Sequence, residues 1–216
     1  MANEYFQFSK FDNKKVLEIG IGQGTDLMQF ARAGAICYGV DITDNHLVLT
    51  KRNFNLQNFK VEIFKNDATD LPFEDNSLDC VYSFGVLHHI QNADKVSDEI
   101  YRVLKPGGCA MVALYHKCSA FHFFRKLLYQ GIRSRDLFKL GYDGLLSTIE
   151  TGADGKNIKP YVKLYTKRSI KSLFSKFICH DVSVRQLYWS HFWSFNKKYF
   201  GNLSQKRFPF ESYLGW

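Results

Sequence analysis

Residues 16 to 24 read Val-Leu-Glu-Ile-Gly-Ile-Gly-Gln-Gly, an apolar strand with a single acid that runs into three glycines at alternate positions. Gly20, Gly22 and Gly24 allow a tight turn at the strand end and present no Cβ to block a ligand lying across it. From Thr25 the spacing of Leu27, Met28, Phe30 and Ala31 turns helical. The turn therefore opens a helix whose free N–H groups and dipole attract negative charge. Strand, glycine turn and helix together predict a nucleotide-type site at the carboxyl edge of a parallel sheet.

The residues that follow repeat the unit. Val16–Ile19, Ala35–Val40, Val61–Lys65, Leu78–Ser83 and Cys109–Tyr115 read as strands. Asp26–Ala33, Thr43–Asn55 and Ala93–Leu104 read as helices, with Lys105-Pro106-Gly107-Gly108 as a turn. Strands alternating with helices at this spacing predict an α/β fold with a doubly wound, mostly parallel sheet.

Three acids fall where such a sheet meets its ligand. Asp41 ends strand two and suits a ribose, whose two hydroxyls a carboxylate can accept. Asp67 follows strand three and can accept from an exocyclic amine. Glu18 lies two residues before the first glycine, where a pyrophosphate would be repelled but an ammonium or sulfonium group would be favoured. The plain alternative for each is a solvated carboxylate at a strand end. A dinucleotide fingerprint reads G-x-G-x-x-G; here the third glycine comes one residue early. With Glu18, that spacing favours S-adenosylmethionine over a nicotinamide dinucleotide.

Glu18-Ile19-Gly20-Ile21-Gly22-Gln23-Gly24 resembles the first motif of class I S-adenosylmethionine-dependent methyltransferases. Gly39-Val40-Asp41-Ile42 resembles their second motif and Asn66-Asp67-Ala68 their third. Leu71-Pro72-Phe73-Glu74-Asp75-Asn76-Ser77-Leu78-Asp79, with Gly85-Val86-Leu87-His88-His89, resembles the fourth-strand region of the small-molecule, type 11 branch. Glu99 through Gly108 completes the likeness, which covers about residues 14–116. The resemblance implies a Rossmann-like sheet that binds S-adenosylmethionine. It places Gly20, Gly22 and Gly24 around the methionine part, Asp41 and Ile42 at the ribose motif, and Asp67 and Ala68 at the adenine. Ser83 would line the floor near the methyl group.

Methyl transfer from a sulfonium is an in-line displacement, so alignment and exclusion of water are the main demands on the protein. A base is needed only where the acceptor must lose a proton. His88 and His89 are the candidate catalytic residues; alternatively the pair shapes the loop after strand four. Ser83-Phe84-Gly85-Val86 stands where enzymes acting on base amino groups or glutamine amides carry Asn/Asp-Pro-Pro-Tyr. No cysteine is placed as a pyrimidine C5 nucleophile. His116 and Cys118 form an isolated pair without further ligands, and no metal is expected.

Charge divides the chain. Residues 1–116 hold 11 Lys/Arg against 15 Asp/Glu, whereas residues 117–216 hold 18 against 6 and 21 of the 35 aromatics. The basic half could meet phosphate, nucleic acid or membrane headgroups, or could be a solvated face over an aromatic core. Ala120–Ile132 reads as an amphipathic helix directing Phe121, Phe124, Leu127 and Leu128 inward, and Arg135–Leu146 as a second. These helices either pack on the sheet or form a lid over an acceptor pocket, where Arg125, Arg133 and Arg135 could meet an anion. Lys156–Lys163 reads as extended, Tyr165–Ser175 as a helix capped by Thr166, and Phe177–Tyr188 as strand six. A seventh strand would come from 188–200; without it an open sheet edge would favour a homodimer.

The expected organisation is a cofactor-binding core over 1–116, a helical insertion over 117–164 and a sheet-completing segment over 165–216. Five scattered cysteines, no signal-type apolar stretch and no membrane-length run point to a cytoplasmic protein. The expected partner is a small-molecule substrate. An RNA or protein methyltransferase and a non-catalytic S-adenosylmethionine-binding subunit are the alternatives.

Overall fold

Lys15–Ile19 forms β1, buried at every residue after Lys15, as expected of a strand covered on both faces. It is the centre of a five-stranded sheet with β2 (Ile36–Asp41), β3 (Glu62–Lys65), β4 (Leu78–Phe84) and β5 (Leu104–Ala113). The order is β3-β2-β1-β4-β5, and every neighbouring pair is parallel. The winding direction therefore reverses between β1 and β4, and the glycine turn after β1 sits at this switch point, where open α/β sheets bind ligands. The computed structural model describes residues 7–119, 121–149, 161–178 and 181–184. They divide into two units, one of residues up to 87 with 92–113, the other of 88–91 with 114 onward.

In the first unit α1 (Leu27–Arg32), α2 (Asp44–Leu56) and α3 (Ala93–Val103) follow β1, β2 and β4. Aromatic edges fill one core region: Phe30 of α1 meets Phe8 at 4.6 Å, Phe11 at 5.4 Å and Tyr82 at 5.4 Å between ring centroids. α3 buries Val96, Ile100 and Val103 at helical spacing. The expected turn at 105–108 and strand start at Cys109 are corrected: β5 begins at Leu104, which already pairs with Leu78, and Gly107, at φ 80°, lies in the irregular stretch before Cys109 pairs with Cys80.

Several residues of the fourth-strand motif hold structure. Arg102 donates to Glu99, to Asp75 and to the carbonyls of Leu71 and Phe73, all at 2.7–3.0 Å. Asp79 accepts from the Lys15 amide at 2.8 Å and from Lys105 Nζ at 3.0 Å. These bonds fasten the 71–75 loop and the start of β4 in place.

In the second unit Phe121–Arg133 is a π-helix that buries Phe121, His122, Lys126 and Gly131. This corrects the expected α-helical face: i→i+5 winding inserts spacings of four and five, and Phe124 and Leu128 are exposed. α4 (Asp136–Ser147) packs against it and kinks at Gly141, φ 71°. Lys126 reaches inward, donating to the Thr148 carbonyl at 2.7 Å, Thr148 Oγ1 at 3.1 Å and Gln130 Oε1 at 2.9 Å. Burial pushes its ammonium down to about 8.

α5 (Lys167–Leu173) starts at Thr166 as expected. Thr166 Oγ1 accepts from the Ser169 amide at 3.2 Å and Ser169 Oγ accepts from the Thr166 amide at 2.8 Å, a reciprocal cap. Ahead of it, Tyr165 donates its amide to the Tyr115 carbonyl and accepts from Lys117. The expected strand six is not formed where it is described: residues 177–178 and 181–184 are irregular, and Ile178 is fully exposed. The rest of that strand, the seventh strand, and most of 156–163 lie outside the described residues. Among the described residues no helix is long and apolar enough to cross a membrane.

Candidate cofactor site

β1 ends at Ile19, and the Gly20 amide still donates to the Val40 carbonyl at 2.8 Å, so the turn begins at the last rung of the ladder. Gly20, Gly22 and Gly24 have φ of 76°, 53° and 73°, the left-handed region that disfavours any Cβ. Two of them also sit against neighbours. A Cβ at Gly20 would lie 2.3 Å from Val86 Cγ2, and one at Gly24 would lie 2.6 Å from Thr50 Cγ2. Gly22 has open space on that side. The middle glycine is therefore the one whose bare face meets open space.

α2 holds the turn from behind. Thr50 Oγ1 donates to the Gly22 carbonyl at 3.2 Å, and Asn53 Nδ2 to the Gln23 carbonyl at 2.9 Å. Asp41, at the tip of β2 and only 7% exposed, holds it from the side by accepting from the Gly22 amide at 3.2 Å. The same Oδ2 accepts from His46 Nδ1 at 3.0 Å, and Oδ1 accepts from the Thr43 amide at 2.9 Å. Next to it Ile42 is 67% exposed, an apolar side chain offered to whatever lies along the strand tip.

Glu18 is 4% exposed, and its Oε2 accepts from the Leu27 amide at 2.9 Å. The carboxylate is thus spent partly on the start of α1, a role its position in the sequence did not disclose. Burial raises its proton affinity well above the ordinary value, and the charges of Asp26 and Asp41 raise it further. Asp26 is itself fixed by the Tyr82 hydroxyl at 2.7 Å. The charges of Asp26 and Asp41 thus both act on Glu18, an electrostatic condition that favours a cation beside it.

Asp67 is used locally: its Oδ1 accepts from the amide and hydroxyl of Thr69 at 2.8 and 2.7 Å. Ala68 beside it is buried, and the preceding Asn66 amide donates to the Asp41 carbonyl at 3.3 Å. Ser83 is buried and donates to the Ile19 carbonyl at 3.1 Å. Its hydroxyl hydrogen pins β4 to the end of β1, so it is not free to donate to a ligand. The structure thus gathers Glu18, the three glycines, Asp41 and Ile42 around one turn, with Asp67 and Ala68 tied to it through Asn66.

His88 and His89 belong to the second unit. His88 is fully buried and stacks on Tyr115, with centroids 3.7 Å apart and planes at 27°. His89 Nδ1 lies 2.9 Å from the Tyr161 carbonyl. A carbonyl only accepts, so Nδ1 carries the hydrogen. Among the described residues no group of three or more His, Cys, Asp or Glu could hold a metal.

Four residues around the turn were not singled out in the sequence: Asp26, His46, Thr50 and Asn53. Thr50 and Asn53 did carry a signal, being a polar i, i+3 pair beside core Phe54 on α2. Asp26 follows the last glycine by two residues, and His46 follows the Thr43 cap by three.

Residues 17–112 match the family model described as a methyltransferase domain. The chain is 35% identical over 104 residues to phosphoethanolamine N-methyltransferase 2 of Caenorhabditis elegans, a match covering 47% of this chain and 24% of that protein. It is 37% identical over 100 residues to a demethylmenaquinone methyltransferase of Streptomyces avermitilis, covering 46% and 41%. The matches thus span well under half the length of these relatives. In fold it is similar to an S-adenosylmethionine-dependent methyltransferase of Methanosarcina mazei, with a TM-score of 0.63 at 18% identity over 80% of this chain and 83% of that one.

Proposed function

Because the chain carries a class I S-adenosylmethionine-dependent methyltransferase domain of the type 11 branch over residues 17–112, we propose that it methylates a small-molecule acceptor. S-adenosylmethionine is the cofactor of this domain family. The observation that carries the reading is the Gly20–Gly24 turn, open at Gly22, held by Asp41 through the Gly22 amide and preceded by the buried Glu18.

When bound, the cofactor supplies a methyl group already activated on a sulfonium. The chain's residues then bind and align. Gly22 gives the methionine part room for close approach. Asp41 accepts from the ribose; its two oxygens take three hydrogen bonds already and have about four lone-pair positions in all. Ile42 covers one face of the adenine, and Asp67 and Ala68 meet its edge. Glu18 and Asp26 lend negative potential, which favours the sulfonium over the neutral thioether product. Where the acceptor must lose a proton, His89 takes it, while His88, stacked and buried, positions its neighbour.

Calorimetry with S-adenosylmethionine and S-adenosylhomocysteine, followed by turnover across a panel of small-molecule acceptors, tests this. Binding with turnover on a small acceptor supports it. Binding without turnover on any acceptor points to a non-catalytic subunit. The excess of cations after residue 116 keeps one other enzyme reading, RNA or protein methylation, which activity on RNA or protein in the same assay would establish.

A further inference from the structure

The π-helix and α4 expose large apolar side chains for which folding alone gives no reason. The π-helix turns Lys126 and Gly131 toward α4, where Lys126 binds Thr148 and Gly131 closes on Leu145. Phe123, Leu128 and Ile132 of the same helix are exposed, as are Phe138 at 76% and Leu140 at 52% on α4. These five large apolar side chains, exposed within residues 123–140, mark an interaction surface.

The charges between them indicate the partner. Arg125, Arg133, Arg135 and Lys139 are all exposed, and none forms an ion pair among the described residues. Asp136 is the one acid between residues 123 and 140. Cations interleaved with aromatic and branched aliphatic side chains match the headgroup–acyl boundary of an anionic bilayer, where rings and chains enter and cations meet phosphates. A nucleic-acid backbone would take the cations but leave Leu128, Ile132 and Leu140 in water. Neither helix is long and apolar enough to span, so the fit is to the surface.

We propose that residues 123–140 dock this protein on the surface of an anionic lipid bilayer, with Phe123, Ile132, Phe138 and Leu140 entering the interface and Arg133 and Arg135 meeting lipid phosphates.

The test is co-sedimentation of the full chain with vesicles of phosphatidylcholine alone and of phosphatidylcholine mixed with phosphatidylglycerol. The protein is expected to partition onto the mixed vesicles and to be released by high salt. Arg133→Glu with Arg135→Glu should weaken partitioning at least about tenfold, and Phe138→Ser with Leu140→Ser should do likewise. Both pairs should keep wild-type circular dichroism and S-adenosylhomocysteine affinity, so loss of vesicle binding is not loss of fold. No partitioning, or partitioning that neither pair alters, overturns the proposal. So does retention on RNA without vesicle binding. Self-association without vesicle binding, abolished by Phe138→Ser, would show instead that a second copy covers this face. Partitioning by a protein that binds no S-adenosyl compound would leave this surface standing and refute the cofactor reading alone.

Discussion

The Asp41 carboxylate accepts the Gly22 amide hydrogen at 3.2 Å, so the tip of the second strand fixes the middle of the glycine turn that follows the first. Its other oxygen holds the Thr43 amide ahead of α2. One side chain therefore sets the turn and the start of a helix, and it is the proposed acceptor for the ribose. Asp41→Ala is expected to remove the proposed ribose acceptor and take the partner from the Gly22 and Thr43 amides, which water can reach, at a net cost of about 0.5–1.5 kcal/mol for each hydrogen bond. Asp41→Asn keeps one carbonyl oxygen and should retain more stability than affinity. Thermal unfolding and calorimetry on the two variants check this; equal S-adenosylmethionine affinity in Asp41→Ala and wild type would exclude Asp41 as the ribose acceptor.

Gly20 and Gly22 share a left-handed backbone but differ in surroundings, which separates fold from binding. Gly20→Ala drives a methyl into Val86, 2.3 Å from Cγ2, on top of a left-handed penalty of about 1–2 kcal/mol. Gly22→Ala carries only that penalty and places its methyl in open space. Gly20→Ala should lower the melting temperature more, whereas Gly22→Ala should lose at least about tenfold in S-adenosylmethionine affinity beyond its effect on stability. A Gly22→Ala protein that binds the cofactor normally would show that the open face is not the cradle.

The two histidines should part company in the same way. His88→Ala removes a buried ring stacked on Tyr115, for which a loss of about 3 kcal/mol or more of stability is expected, as for other large buried rings. His89→Ala removes a half-buried ring bonded to a carbonyl and should leave cofactor affinity within about tenfold, about 1.4 kcal/mol. A fall in turnover at unchanged affinity, with a changed pH profile of turnover, identifies His89 as the base. Unchanged turnover in His89→Ala would mean the acceptor needs none.

The parts legible in the sequence are those written in local pattern. β1 to β5 could be placed because apolar runs alternate with amphipathic helices between glycine and proline turns, and Thr166 because a hydroxyl before a helical run satisfies free amides. What was hidden depends on long-range partners. Ser83 resembles a site residue in its motif, but its hydroxyl is taken by Ile19, 64 residues away. Glu18 reads as a ligand-facing acid, yet it also holds the Leu27 amide. The Phe121–Arg133 face was misplaced because 3.6-residue spacing was assumed where the chain winds wider. Phe177–Tyr188 alternates like a strand, yet Ile178 is exposed; alternation describes a strand only where one face is covered.

The raised proton affinity of Glu18 gives the last prediction a definite sign. Its carboxyl in the folded protein is held well above the 4.5 of an ordinary glutamate, first by burial and then by Asp26 and Asp41. The native state therefore binds a proton more tightly than the unfolded chain. That contribution to stability is fully present below pH 4.5 and is lost as pH rises through the folded value. Glu18→Gln keeps an oxygen for the Leu27 amide and has no charge to bury, so the variant should gain on wild type in melting temperature from pH 4.5 upward. Ligand preference should move the other way. An ionised Glu18 favours a sulfonium, so the affinity ratio of S-adenosylmethionine to S-adenosylhomocysteine should rise with pH in wild type and stay flat in Glu18→Gln. Calorimetry of both ligands across that range decides it: parallel pH profiles in the two proteins would mean that Glu18 holds α1 and has no part in recognising the sulfonium.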